Sequence, residues 1–315
     1  MPAKRSAIIR KIETKVGVPG LATLLASRLS GSELNSLLLD VFDQRSRNGS
    51  PGQLLRHYQA NRFVQPADVD MIKLLQLELE TLVCLRDRQF QPLELSPAAL
   101  FGSCSVVGTV CQDKIVSAVR NTEIMADATN SLALYIAGIK KNNPEATELM
   151  RFCTVQRHMR AQEVKVKGHT AHFKIGCMVT AGRDGGDFRF ECSQLKDQLS
   201  VLCGLFLHWE IPVLRVKLQR REGYADPDRL IQTVAGELKA EKELPEIVID
   251  EKAGLNNYYK GIQFKLIIAV NGQEIEIADG GLTDWTQQLL GNPKERLLIC
   301  GFGLEWLYKL MTWKV

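Results

Sequence analysis

The residues best suited to chemistry in this sequence are polar and aromatic side chains in two short stretches, "NNYYKGIQF" (residues 256–264) and "ADGGLTDW" (residues 278–285). Asn257, Tyr258 and Tyr259 supply amide and phenol groups, which donate and accept hydrogen bonds. Gly280 and Gly281 have no Cβ and would let a ligand approach the backbone closely. We therefore expect these stretches to form the wall of a pocket for a small polar ligand. The alternative is that the two tyrosines are half-buried strand aromatics with a packing role only.

A second group of chemically capable residues lies in "CTVQRHMRAQ" (residues 153–162), which contains Arg157 and Arg160. Guanidinium groups bind carboxylates and phosphates. Residues three apart lie on the same side of a helix but on nearly opposite sides of a strand, so only one of these arginines should face a pocket if the segment is a strand, as the resemblance described below implies; Arg157 is the choice. No carboxylate stands at metal-ligand spacing from His158 or His172, so we expect structural histidines and no metal site.

Composition excludes several classes of function. The chain has 315 residues, of which 45% are hydrophobic, and its 40 basic against 36 acidic residues leave a net charge of +4. This excess is too small for bulk electrostatic attraction to nucleic acid, so we do not expect tRNA binding. No stretch approaches about eighteen apolar residues and the N-terminus has no signal-like apolar segment, which predicts a cytoplasmic protein without membrane spans.

The eight cysteines stand singly, mostly within apolar runs such as "LVCL" and "LLICGF", and no two form a C-x-x-C pair. Zinc and dithiol redox sites need such paired spacing. We therefore expect buried free thiols in a reducing compartment.

The chain changes character near residue 92. Before it, apolar residues recur at helical spacing after cap residues, as in "SGSELNSLLLDVF", where Ser32 is the expected N-cap. After it, β-rich runs alternate with helical segments, and Asn271-Gly272 predicts a hairpin turn. This order predicts an α+β fold, with a helical N-terminal unit over residues 1–92 and a core over residues 93–315.

Six segments of the core resemble, in the same order, those of the class II aminoacyl-tRNA synthetases: "DATNSLALYIA", "CTVQRHMRAQ", "HFKIGCMVTAG", "GLNNYYKGIQF", "GGLTDW" and "GFGLEWLYKL". Within that class the sequence is most similar to the histidyl type and to its paralogue that does not charge tRNA, the regulatory subunit of ATP phosphoribosyltransferase. The resemblance covers residues 95–312. It implies an antiparallel sheet flanked by helices.

The resemblance assigns roles to individual positions. Asp127 and Thr129 match the acid-x-Thr segment that contacts the substrate's amino group. Arg157 matches the motif 2 arginine, which grips the carboxylate and the α-phosphate. Tyr258 and Tyr259 match the tyrosines of the histidine-binding loop.

The remaining matches form the floor of the pocket and its ATP side. Gly280 and Gly281 match the glycine-rich strand beneath the ligand. Glu305 and Trp306 stand in motif 3, the strand-to-helix element that in the family carries an arginine against ATP.

The sequence departs from the family pattern where adenylation needs charge. The motif 3 arginine is replaced by a neutral indole at Trp306, and the acid two positions after Arg157 is replaced by Met159. The remaining replaced positions concern the substrate's ammonium group and the histidine loop: Ile175, Val179, Ala253, and Asn256 or Asn257 according to the alignment.

The resemblance and its departures together favour a catalytically degenerate paralogue that acts as a small-ligand-binding or regulatory subunit. The alternative is an ATP-dependent, adenylate-forming ligase of altered specificity, acting on a free metabolite or a carrier protein, with ATP and magnesium as cofactors. In that case Arg183 or Arg160 would substitute for the missing arginine. The sequence ends directly after motif 3, so no anticodon-binding domain is expected. A homodimer through the motif 1 region, "LSPAALFGSCSVVG", and a partner protein are the expected associations.

Overall fold

The computed structural model describes residues 2–145, 147–163, 168–251, 254, 256–270 and 272–312, with side chains from Ser6 onward. Ten α-helices and ten strands lie in these ranges. The N-terminal helices are α1 (Pro2–Val16), α2 (Leu21–Arg28), α3 (Gly31–Arg47), α4 (Pro51–Ala60) and α5 (Met71–Asp87). The later helices are α6 (Ala128–Asn142), α7 (Arg189–His208), α8 (Pro227–Ala240), α9 (Trp285–Leu290) and α10 (Leu304–Thr312).

Serine side chains cap the N-termini of two of the N-terminal helices, α3 and α4. Ser30, not Ser32, caps α3, and it forms a reciprocal capping box with Glu33. Because the helix already begins at Gly31, Ser32 lies inside its first turn. Ser50 caps α4 in the same way with Gln53.

The N-terminal helices differ in how they meet the core. From Ser6 to Lys73 no described residue is buried, whereas α5 buries Leu74, Leu77, Thr81 and Leu85. Helix α5 therefore packs on the sheet with the core, although it precedes residue 92. The division into units 1–92 and 93–315 stays a prediction.

One eight-stranded sheet organises the core, in the order β1-β4-β5-β10-β9-β8-β6-β7. Its strands are β1 (Gln91–Pro92), β4 (Met150–Met159), β5 (His172–Arg183), β6 (Val213–Arg220), β7 (Glu246–Ile249), β8 (Ile262–Val270), β9 (Gln273–Thr283) and β10 (Glu295–Phe302). Strands β2 (Ala98–Leu100) and β3 (Thr122–Ile124) pair separately. The five inner pairings are antiparallel, and only the edge strands β1 and β7 pair in parallel. The α+β prediction with a helix-flanked antiparallel sheet is confirmed.

The hairpin predicted from Asn271-Gly272 joins β8 to β9, whose ends meet at the pair Val270 and Gln273. Gly272 adopts the left-handed backbone conformation, with φ of 75°, which glycine reaches without strain. Asn271 itself lies outside the described residues.

Helices cover both faces of the sheet because successive strand residues point to opposite sides. On β10, Leu298, Cys300 and Phe302 pack in one cluster with α5, α7, α8 and α10. Leu297 and Ile299 pack in the other cluster, with α6 and α9. The edge of this second face, where α6 begins, holds the candidate site.

All eight cysteines are free thiols. Five of them are buried, as expected, while Cys84 and Cys203 are partly exposed and Cys111 is exposed. Among the described residues, no helix is both long and apolar enough to cross a membrane.

Candidate ligand-binding site

Two adjoining cavities open beside β5, β9 and β10. The first, which we call the tyrosine cavity, has a volume of about 470 Å³ and is lined by Asp127, Thr129, Tyr258 and Tyr259 among others. The second, the tryptophan cavity, has a volume of about 620 Å³ and is lined by Glu305 and Trp306 among others. Both volumes lie within the range of roughly 300–1,000 Å³ that small-molecule sites occupy. The cavities share part of their walls: Arg160, Gln162, Ile175, Glu276, Ile277 and Gly303.

The acid-x-Thr segment starts α6 and meets the tyrosine loop at the tyrosine cavity. Asp127 is the N-cap of α6, and its Oδ1 accepts hydrogen bonds from the backbone N–H and the hydroxyl of Thr129, at 2.9 and 2.6 Å. The phenol of Tyr258 donates to Oδ2 of the same carboxylate at 2.5 Å. Burial raises the pKa of Tyr258 well above its ordinary value, so the phenol keeps its proton. Both oxygens of Asp127 are therefore engaged by the protein.

At Gly280 and Gly281, packing within the protein leaves no room for a side chain. A Cβ at Gly280 would lie 2.4 Å from Cζ of Phe264, and one at Gly281 would lie 2.8 Å from Cδ1 of Tyr259. Neither glycine lines a cavity. The missing side chains make room for protein rings and for neighbouring backbone, and close approach of a ligand at these glycines stays a prediction.

Of the two adjacent asparagines, Asn256 lines the tyrosine cavity and Asn257 does not. Asn256 accepts a hydrogen bond from the backbone N–H of Tyr258 at 2.8 Å and donates to Gln263 at 3.2 Å. The side chain of Asn257 is exposed. The structure thus places Asn256 in the site, whereas the predicted ligand-binding residue was Asn257.

The motif 3 acid forms a buried ion cluster. Glu305 is 1% exposed and accepts from Nη1 of Arg157 at 2.9 Å, while Nζ of Lys309 lies 3.1 Å from its other oxygen. The same Nη1 of Arg157 donates to Nδ1 of His172 at 3.1 Å, and His172 donates through Nε2 to the carbonyl of Gln65 at 2.7 Å. Arg157 lines neither cavity, and its role in gripping a ligand stays a prediction.

Arg160 is the arginine of motif 2 that lines both cavities. Its Nε donates to the carbonyl of Ala126 at 3.0 Å, and its guanidinium lies 5.5 Å from the ring centroid of Phe173. Arg160 comes directly after the end of β4. Only one of the two arginines lines the cavities, as strand alternation predicts, but it is Arg160 and not Arg157, which was chosen from its match to the motif 2 arginine.

His158 has the structural role that was expected of it. Its Nδ1 donates to the carbonyl of Gln156 at 3.0 Å, and its Nε2 accepts from the backbone N–H of Ala128 at 2.8 Å. Burial lowers the pKa of His158 to about 4, with a further lowering from Arg160 that is opposed by Asp127. The neutral ring ties β4 to the start of α6.

The tryptophan cavity differs chemically from a triphosphate site. Trp306 packs edge-on against His169, with ring centroids 4.6 Å apart. Both lysines that line this cavity are paired with acids, Lys309 with Glu305 and Lys174 with Glu78. Among the described residues, no cluster of three His, Cys, Asp or Glu side chains could hold a metal ion.

Sequence reasoning missed a polar network behind the tyrosine cavity. Asp279, on β9, lines the cavity and accepts from Nε2 of Gln263 at 2.7 Å. Oε1 of Gln263 accepts from Nε and Nη2 of Arg221 at 2.9 and 2.6 Å. The sequence did contain a signal, because strand alternation puts Asp279 on the same face as Gly281, which was expected to lie in the pocket.

No protein-family model matches this sequence, and no curated protein matches it. Solved structures do match its fold. An ATP phosphoribosyltransferase regulatory subunit/histidyl-tRNA synthetase from Bacillus halodurans C superposes with a TM-score of 0.62 at 11% identity, over 79% of this chain and 81% of that one. A histidyl-tRNA synthetase from S. aureus superposes with a TM-score of 0.59 at 12% identity, over 76% of this chain and 65% of that one.

A histidine–tRNA ligase subunit from Alicyclobacillus acidocaldarius superposes with a TM-score of 0.55 at 11% identity, and this chain covers 96% of it. At such low identities the likeness concerns the fold and not the activity. The chain has the fold of a histidyl-tRNA synthetase-like class II core.

Proposed function

We propose that this protein is a catalytically degenerate relative of the histidyl-tRNA synthetase core, and that it binds a small polar ligand as a regulatory or binding subunit. The observation that carries the proposal is the ion cluster at Glu305. Adenylation requires cations that face the phosphates as charge develops in the transition state. Here Arg157 and Lys309 are paired with a buried glutamate of the same chain, and the motif 3 position presents the indole of Trp306.

ATP with magnesium fits the tryptophan cavity poorly. A triphosphate needs several cations to offset its charge, and magnesium needs oxygen ligands. Lys174 and Lys309 are already paired with carboxylates, which leaves Arg160 as the cation lining this cavity without an ion pair among the described residues. We therefore propose that a metabolite or nucleotide of low charge, and not magnesium ATP, is the natural ligand.

The tyrosine cavity retains the features of a recognition site. Phenol, amide and carboxylate groups converge on a space of about 470 Å³, a combination typical of sites that select one small polar molecule. Both oxygens of Asp127 accept hydrogen bonds from the protein, and these bonds hold the cavity wall together. Other polar groups of the wall are available to bind a ligand.

The structural neighbour from Bacillus halodurans C is named in part as a regulatory subunit, and this name supports a subunit role here. We propose a homodimer through the motif 1 region and a further partner protein. The exposed apolar residues Leu100, Phe101 and Val106 of this region, which are 61, 51 and 75% exposed, support an interface there. Sedimentation of Val106→Glu tests it: a dimeric wild type and a monomeric variant are expected, and a monomeric wild type would contradict the homodimer.

The alternative function, an ATP-dependent ligase acting on a free metabolite or a carrier protein, has one observation in its favour. Arg160 reaches both cavities and could replace the missing motif 3 arginine. Arg183, the other substitute considered, pairs with Glu295 at 3.3 Å and lines neither cavity.

Thermal-shift measurements with ATP, magnesium ATP, the standard amino acids and common nucleotides separate the two functions. A binding subunit is stabilised by its ligand without turnover. A ligase is stabilised by magnesium ATP and exchanges pyrophosphate into ATP when its acid is present. Loss of such exchange in both Arg157→Ala and Arg160→Ala would overturn the proposal of a degenerate core in favour of the ligase.

A further inference from the structure

The charged residues that line the tyrosine cavity are Lys114, Asp127, Arg160, Lys265, Glu276 and Asp279. The protein itself satisfies several of them. Lys265 pairs with Glu276 at 2.7 Å, and Asp127 accepts from Tyr258 and Thr129. Of the three acids, Asp279 is the one that forms no ion pair with a described residue and has an oxygen without a described donor.

Lys265, the cation opposite Asp279 in the sheet, forms its ion pair with another acid. Lys265 is the cross-strand partner of Asp279 in the pairing of β8 with β9. Its ammonium group nevertheless lies against Glu276. The carboxylate of Asp279 thus lines the cavity without forming an ion pair with its cross-strand lysine.

Gln263 fixes the orientation of the Asp279 carboxylate. The side chain of Gln263 is 2% exposed, and its Oε1 faces Arg221, which has only donors to offer. The amide nitrogen must therefore point the other way, and it donates to Oδ1 of Asp279 at 2.7 Å. Oδ1 is held in place, and Oδ2 is left for the cavity.

Arg221 anchors this arrangement from the interior. It is 7% exposed, and besides its two bonds to Gln263 it donates to Gln219 at 2.7 Å and to the carbonyl of Gly254 at 2.7 Å. Gln219 in turn donates to Asp250 at 2.9 Å. A buried guanidinium that donates four hydrogen bonds is a rigid support, so the orientation of Asp279 is preorganised.

We propose that Asp279 is a specificity-determining residue of the tyrosine cavity and that the ligand carries a cationic nitrogen, an ammonium or a guanidinium group, which donates to Asp279. This inference rests on the proposed function and specifies its ligand class. The carboxylate of Asp279 is exposed and lines the cavity, and a charge-assisted bond from a cation stabilises such a carboxylate better than a bond from a neutral donor does. Desolvation raises the pKa of Asp279, while the hydrogen bond from Gln263 and the charge of Lys265 lower it in part.

Matched pairs of probes that differ in one charged group test the proposal. The pairs are butylguanidine with butylurea, butylamine with butanol, and tyramine with 4-(2-hydroxyethyl)phenol, and in each pair only the first member carries a cationic nitrogen. Calorimetric and thermal-shift titrations of the full chain compare the members of each pair. In the wild type, at least one cationic member is expected to bind about tenfold or more tightly than its neutral partner, which corresponds to about 1.4 kcal/mol.

Two isosteric variants localise the effect. Asp279→Asn keeps the acceptor for Gln263 and removes the charge, so the ratio within the pair should fall to about one. Asp284→Asn removes a carboxylate that lines neither cavity and pairs with Lys260 at 3.6 Å, and it should keep the wild-type ratio. The wild-type comparison needs no variant, so the proposal can fail even if Asp279→Asn folds poorly.

The proposal is overturned if no cationic probe binds better than its neutral partner, or if the preference survives in Asp279→Asn. Nucleotides and anionic metabolites titrated in the same way distinguish this failure from failure of the proposed function. Binding of one of these alone would leave the binding-subunit function standing and remove Asp279 as its determinant. Binding of no probe at all would contradict both.

Discussion

Tyr258 and Asp127 lie 131 positions apart in the chain, and the phenol of Tyr258 donates to the carboxylate that caps helix α6. This bond joins the tyrosine loop to the acid-x-Thr segment, the two parts of the site that the sequence suggested independently. Both oxygens of Asp127 accept hydrogen bonds from the protein, and the contact with a substrate's amino group that the resemblance implied stays a prediction. Asp127 holds the wall of the cavity together, and Asp279 offers the open carboxylate.

Removal of this bond should destabilise the protein. Tyr258→Phe leaves a carboxylate oxygen without its donor in a buried site, and the expected loss is about 1–3 kcal/mol in the free energy of unfolding. Chemical denaturation measures it. Tyr135→Phe, a matched change at a tyrosine on α6 that is 47% exposed, should have little effect. Equal effects of the two variants would show that the bond contributes nothing.

Acidification should weaken the fold through His158. Its pKa is 6.5 ordinarily and about 4 in the folded protein. Between these values the unfolded chain binds a proton that the folded chain does not, so the free energy of unfolding falls as the pH falls from 6.5 towards 4. A difference of this size corresponds to about 3 kcal/mol.

Denaturation at several pH values in this window measures the effect of His158. His158→Gln keeps a donor and an acceptor without the titration, so its pH dependence should be flatter than that of the wild type. His208→Gln, at an exposed position, is the control. A slope unchanged in His158→Gln would refute the assignment.

Gly280→Ala should disrupt packing even when no ligand is present. The new Cβ would lie 2.4 Å from the Phe264 ring and 2.6 Å from the backbone oxygen of Ile299, and overpacking of this kind costs about 1–3 kcal/mol. Gly138→Ala on α6, where nothing lies within 4 Å of the added Cβ, should instead raise stability by up to about 1 kcal/mol. A variant Gly280→Ala that unfolds like the wild type but fails to bind ligand would restore the role first expected for this glycine.

Asp279→Asn should be more stable than the wild type at neutral pH. The raised pKa means that the folded state disfavours the ionised carboxylate, so this group's contribution to stability is lost as the pH rises through its folded pKa. The melting temperatures of the two proteins should therefore converge as the pH falls towards the ordinary value of 3.8. A wild type more stable than the variant near neutral pH would show that a partner within the protein, and not a ligand, compensates Asp279.

The sequence by itself determined the class of fold. Local patterns, such as the turn at Asn271-Gly272 and the helical periodicity before residue 92, depend on neighbouring residues only, and the order of motifs then narrowed the fold to a class II synthetase-like core.

Only the tertiary structure decided which polar groups face the cavities. Arg160 and not Arg157 lines them, Asn256 and not Asn257 does so, and Asp279 was not selected at all. These choices depend on the tertiary packing around β4 and on which rings fill the space above Gly280 and Gly281. The side chain of Asp279 is oriented by Gln263 and Arg221, which lie 16 and 58 positions earlier in the chain. Hydrogen bonds between strands distant in sequence set such orientations, and no local pattern encodes them.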